Sequence, residues 1–312
     1  MQQLSKQRGA AIIVALFVMS IVAVISVMLM SRLLMDVEHT ALWLRDAQNG
    51  FSVSGSVDWA RETLGNDWRR RVPNQVIDRT PIKSPVDQEN HQLISSEIED
   101  AQGRFNVNNL VDTKSQEQFV RLLKTIAPTL SDAIAQNITD AISNWISPSG
   151  DNKQDDYYAK CHPPYRAAHR LMASISELRL VQGMTRDLFL ALSPYVTALP
   201  ESLTPININN ASIPVLMSLD PSFTLDTADG IVKRVKTLPF VCVADFAALD
   251  FMKTHPVQTE RLTVESHYFL VKTNVFTAKL DDSERVFYTL IQRKEQNGRS
   301  EQMMVWQSIG VP

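Results

Sequence analysis

Gly9 to Ser31 reads GAAIIVALFVMSIVAVISVMLMS. Such an uncharged run is long enough to cross a hydrocarbon core as one helix, because the core is about 30 Å thick and each helical residue adds about 1.5 Å. Lys6 and Arg8 stand before the run, and Arg32 after it is soon followed by Asp36 and Glu38. The excess of positive charge therefore lies on the short N-terminal side. By the positive-inside rule that side stays cytoplasmic and the rest of the chain is exported.

Three readings of this stretch compete. A secretory signal has an apolar region of only about 7 to 15 residues closed by a small-x-small site, and no convincing site closes this one. A plain signal anchor fits the length. A nine-residue basic leader that ends in Gly9 and meets the apolar run at once adds a third reading, since a prepilin-type peptidase cuts at such a place, here between Gly9 and Ala10.

The helical spacing continues beyond Ser31, with Leu33, Val37, Ala41, Leu44, Ala47, Phe51, Ser54, Val57, Ala60 and Leu64 recurring at intervals of three and four. One helix of about 55 residues, roughly 80 Å long, is expected, half in lipid and half laid by its apolar stripe on a sheet. Gly50 and Gly55 are its weak points. From Gly65 to Asn90 the prolines Pro73, Pro81 and Pro85 point to a surface loop. Period-two alternation predicts strands at Leu93 to Ile98, Arg261 to Thr277, Val286 to Arg293 and Gln302 to Ile309, the last two joined by a hairpin at Asn297-Gly298. Too few C-terminal strands remain for a sandwich, so a sheet interrupted by a helical insertion from about Ala101 to His255 is the simplest topology.

Within the insertion, Phe105-Asn-Val-Asn-Asn109 and Ile206-Asn-Ile-Asn-Asn210 share the pattern apolar-Asn-apolar-Asn-Asn. Helical segments follow each copy, Gln118 to Ile126 and Ser131 to Ile146 after the first, Ile213 to Leu219 and Thr227 to Val235 after the second. Two related helix-hairpin units are expected, with Asn108, Asn109, Asn209 and Asn210 as helix N-caps. A third helical pair, Ser174 to Val181 and a helix capped by Thr185, lies between them.

With 31 basic and 34 acidic side chains the net charge is -3, which gives no electrostatic case for nucleic acid. The length allows about two domains beyond the anchor. Cys161 and Cys242 fall in the exported part, where an oxidising compartment lets them pair if their Cα atoms come within about 7 Å; a disulfide and two buried thiols both remain open. Cys161, His162 and His169 match no zinc spacing, and no nucleophile elbow, phosphate loop or zincin motif occurs, so a catalyst is not expected.

The leader ending in Gly9, GRFNVNNL at 103–110, DDYY at 155–158, PPYRAAHR at 163–170, SELRLVQGM at 176–184 and PYVTALP at 194–200 together resemble the K-type minor pseudopilins of type II secretion systems, in the same order over nearly the whole chain. The resemblance implies an α+β fold: a pilin-like long N-terminal helix packed on a small antiparallel sheet, interrupted by a large all-helical insertion with helix-hairpin-helix-like repeats. The expected division is leader 1–9, transmembrane half-helix 10–31, exported half-helix, loop and first strand 32–100, insertion 101–255 and C-terminal strands 256–312. It further implies a subunit at or near the tip of a periplasmic pseudopilus. The implied partners are the I-type and J-type minor pseudopilins, other pseudopilins, prepilin peptidase and the inner-membrane secretion platform. Pilin-like helices usually carry Glu at the fifth mature position, whereas counting from Ala10 gives Val14. A lone intramembrane acid costs about 2.5 to 3.5 kcal/mol and is kept where it has a partner; a subunit with nothing above it has no such need.

The resemblance also implies an acidic calcium loop of the form DWxDxD. Here Asn144-Trp-Ile-Ser-Pro-Ser149 replaces its three acids, and Gln154 stands where Glu is common. Asp151, Asp155 and Asp156 are the remaining candidate Ca²⁺ ligands, against the alternative of a solvated acidic loop. The rival function is a signal-anchored periplasmic helix-hairpin-helix protein that binds DNA, suggested by the entry Ile206 to Asn209. It lacks the Gly-rich hairpin of such modules, for Asp220-Pro-Ser-Phe-Thr-Leu-Asp226 stands there, and only Lys233, Arg234 and Lys236 offer positive charge.

Overall fold

A computed structural model describes residues 3–69, 81–89, 92–148, 152–254, 258–277, 283–296 and 299–311. The chain divides into two units, residues 1–54 and 55–312. The helix α1 (Gln3–Arg69) begins in the first and ends in the second, unbroken at Gly50 and Gly55. In the first unit its apolar side chains from Ile12 to Met30 are exposed on every side, and the helix is by length and composition long and apolar enough to cross a membrane. Its hydroxyls fold back on the helix: Ser20 donates to the Phe17 carbonyl, Ser26 to Val22 and Ser31 to Val27. No polar group of these serines then needs water.

Only part of the expected stripe is buried. Val57, Ala60 and Leu64 are at most 5% exposed, whereas Leu44 and Phe51 are 51% and 78% exposed. Helical spacing marks an apolar face but not what covers it.

In the second unit β1 (Ile82–Lys83) and β2 (Asp87–Glu89) precede β3 (Gln92–Asp100). Then come β4 (Phe105–Asn106), α2 (Thr113–Ile126), α3 (Asp132–Ile146), α4 (Asn152–Ala159), α5 (Arg186–Leu192), β5 (Val196–Thr197) and β6 (Ile206–Asn207). The helices α6 (Ile213–Leu219), α7 (Leu225–Thr237), α8 (Val243–Ala247) and α9 (Asp250–Thr254) lead to β7 (Leu262–Thr263). The chain closes with β8 (Tyr268–Thr277), β9 (Ser283–Gln296) and β10 (Arg299–Ile309).

The main sheet has the order β1-β3-β8-β9-β10, every pair antiparallel, with β2 also on the outer edge of β3. Thus a strand from before the insertion pairs with strands from after it, Ile98 opposite Val271 and Ser96 opposite Thr273. Period-two alternation puts Ile94, Ser96 and Ile98 on one face with Val271, Thr273, Val275 and, from β9, Phe287, Thr289 and Ile291, all buried. Ser96 and Thr273 hydroxyls, 3.2 Å apart, satisfy each other inside this face. Gly65 of α1 lies against Gln302 of β10, where an added Cβ would stand 3.3 Å from Nε2. On the opposite face Tyr268 and Leu290 pack with Ala101 and Leu199, which ties the insertion to the sheet.

Three expectations need correction. The strand predicted from Arg261 to Thr277 is broken: Leu262 and Thr263 pair in parallel with Ile206 and Asn207, and β8 begins only at Tyr268. The insertion is not all-helical, since it contains Ile206–Asn207 of this pair and the whole of a second parallel pair, Phe105 with Val196 and Asn106 with Thr197. Part of the predicted loop before Asn90 is sheet, through β1 and β2. The strands β9 and β10 pair as a hairpin with Gln296 opposite Arg299, and the Asn297-Gly298 turn lies outside the described residues. One contiguous core fills the insertion from Phe105 to Leu262, with Phe119, Trp145, Tyr158, Phe240 and Phe246 among its largest members.

Candidate functional site

The polar centre of the second unit is built from the two asparagine motifs. In the first, Asn106 Oδ1 accepts from the amides of Asn108 (3.1 Å) and Leu199 (3.0 Å), while its Nδ2 donates to the Glu201 carbonyl at 2.7 Å and to Thr204 Oγ1 at 2.8 Å. Asn108 pairs with the backbone of Met172 as one peptide does with another, Nδ2 to its carbonyl at 2.9 Å and Oδ1 from its NH at 2.8 Å. Asn109 grips Thr204 in the same two-point manner, at 2.9 and 3.0 Å.

The second copy repeats this scheme. Asn207 Oδ1 accepts from the amide of Asn209 at 3.0 Å. Asn209 takes the backbone of Phe240 by both ends of its amide, at 2.9 Å each. Asn210 Nδ2 donates to Asp100 Oδ2 at 2.7 Å. The asparagines are therefore tertiary clamps rather than the N-caps expected at 108, 109, 209 and 210. Capping falls instead to Asn106 for the 3₁₀ turn Val107–Val111 and to Asp112 for α2. Buried at 106, 108, 109 and 207 and partly buried at 209 and 210, these amides need partners, and distant backbone and the Asp100 carboxylate supply them.

Asp100 joins the copies to the sheet. It is 5% exposed. Its Oδ2 accepts from Asn207 Nδ2 (2.8 Å), Asn210 Nδ2 (2.7 Å) and Ser266 Oγ (2.6 Å), and its Oδ1 from the Gln102 amide (2.7 Å). So many donors hold a buried carboxylate in place of water. Gly103 next to it has no room for a side chain: a Cβ would sit 2.6 Å from the Asn210 carbonyl oxygen.

The residues singled out in the sequence are scattered. Gly9 and Ala10 lie on α1, as does Val14, which is 60% exposed. Of the two readings left open for the cysteines, the structure has Cys161 and Cys242 as free thiols, the first half-buried after α4 and the second exposed rather than buried. Each is held by its own local structure, Cys161 Sγ 3.6 Å from the Tyr157 carbonyl and Cys242 at the N-cap of α8. Burial, with a hydrogen bond to Cys161, pushes the neighbouring Tyr165 hydroxyl up to about 12. Asp155 and Asp156 lie on α4, the first half-buried and the second exposed, and Asp151 is outside the described residues. His169, which fits no zinc spacing in the sequence, meets Asp155: its Nε2 lies 3.1 and 3.0 Å from the two carboxylate oxygens and its Nδ1 3.0 Å from the Ser147 carbonyl. Those two bonds raise its pKa, the Asp155 contact first and Ser147 second, against a smaller opposing effect of burial.

Residues 103–201 and 206–265 match two segments of the family described as type II secretion system (T2SS), protein K, and each segment opens on one copy of the asparagine motif. The chain belongs to the type II secretion system protein K family. It is 29% identical to type II secretion system protein K of Pectobacterium carotovorum subsp. carotovorum, over 94% of this chain and 95% of that one. It is also 29% identical to the protein K of Pseudomonas aeruginosa, over 92% and 89%. A chain of the GspK-GspI-GspJ complex from the enterotoxigenic Escherichia coli Type 2 Secretion System has the same fold, with a TM-score of 0.71 at 22% identity, covering 88% of this chain and all of that one.

Of the three candidate calcium ligands, Asp155 and Asp156 are described and Asp151 lies outside the described residues. Both oxygens of Asp155 and the Ser147 carbonyl already face His169. Among the described residues no three His, Cys, Asp or Glu side chains converge as a ligand set.

Proposed function

We propose that this chain is a minor pseudopilin, a structural subunit rather than a catalyst, that sits at the tip of the type II secretion pseudopilus. There it initiates assembly and contributes to export of folded proteins across the outer membrane. The observation that carries this is the pairing of a protein K match over 94% of the chain with an N-terminal helix apolar on every side. The helix is inserted as a single inner-membrane span, N-terminus cytoplasmic and bulk periplasmic. Prepilin peptidase trims it between Gly9 and Ala10, and the assembly platform then extracts it to join the I-type and J-type minor pseudopilins and the other pseudopilins. Val14 in place of the filament glutamate, together with a bulky insertion, supports a subunit with nothing stacked above it.

DNA binding by helix-hairpin-helix repeats is not favoured. Lys233 is paired with Asp229 at 2.6 Å, and the Arg234 guanidinium stacks 4.4 Å over the Phe240 ring. At the hairpin, Asp220 Oδ1 accepts from Ser222 N at 2.9 Å, so a carboxylate occupies the turn where a phosphate would need free amides.

Mass spectrometry of the mature N-terminus tests the route. A start at Ala10, lost in Gly9→Leu, is expected; a chain that keeps Met1 contradicts it.

A further inference from the structure

We draw no further inference here: the strongest candidate, the cleft of about 460 Å³ where residues 201–205 of the insertion meet the ends of β8 and β9, carries nothing, because its lining holds both Glu201 and Lys294 and so selects no charge of ligand, and nothing in the structure shows what covers it.

Discussion

Asn207 Nδ2 lies 2.8 Å from Asp100 Oδ2, although 107 residues separate them in the chain. The last residue of β3 is thereby fastened to the second asparagine motif, and through Asn210 and Ser266 to the segment that re-enters the sheet as β8. A long insertion leaves and returns to a sheet at neighbouring points, and this carboxylate is the knot between them. Asp100→Ala removes the common acceptor of two buried donors, Asn207 and Ser266, and of the partly buried Asn210, and should cost about 3 kcal/mol. Asp100→Asn should fare little better, because its amide would confront the donors of Asn207 and Asn210. Denaturant unfolding of the full chain in detergent measures both; a loss below about 0.5 kcal/mol would show that the donors find other partners.

Gly103→Ala presses a methyl group onto the Asn210 carbonyl, which is backbone and cannot swing aside. A loss of about 1 to 3 kcal/mol is expected. Gly50→Ala serves as the control, since nothing lies within 4 Å of its added carbon. It should be neutral or raise helix stability by up to about 1 kcal/mol.

Asp112 gives the fold an acid-sensitive joint. It caps α2 through the Ser115 amide at 3.0 Å and pairs with Arg261 Nη2 at 2.6 Å, just before β7. Burial taken alone would raise its pKa, but the Ser115 amide and the Arg261 guanidinium outweigh it and hold the carboxyl below the ordinary aspartate value. Its contribution is therefore complete above the unfolded value of about 3.9 and fades as pH falls through the folded one. Arg261→Gln should unfold with a shallower loss of stability between about pH 5 and pH 2 than the parent chain. Identical acid limbs in melting experiments would contradict this.

Both cysteines should react with a thiol reagent in the unreduced, folded chain, Cys242 before Cys161, in keeping with their exposure. Replacing both by serine should leave the melting temperature unchanged. A chain that yields no free thiol until reduced would reinstate the disulfide.

Much of this architecture is legible in the sequence because it rests on period and charge. The uncharged run from Gly9 announces the helix, alternation marks β3 and β8 to β10, and the spacing between strands requires an insertion. The apolar-Asn-apolar-Asn-Asn repeat is visible as a pattern, yet its role is not. Capping is a local bond that sequence can suggest, whereas the partners of Asn108 and Asn209 lie 64 and 31 residues away. The short parallel strands escape for a related reason, two residues being too few to show a period. His169 stands out in the sequence only as one of three residues with no zinc spacing, since nothing there shows that it meets the end of α3 and the start of α4.

Assembly with its partners tests the central claim most directly. Coexpressed with the I-type and J-type minor pseudopilins of the same system, the chain should elute with both as a single complex of equal stoichiometry. Elution of this chain alone, with the other two subunits folded and soluble, would contradict its place as a minor pseudopilin.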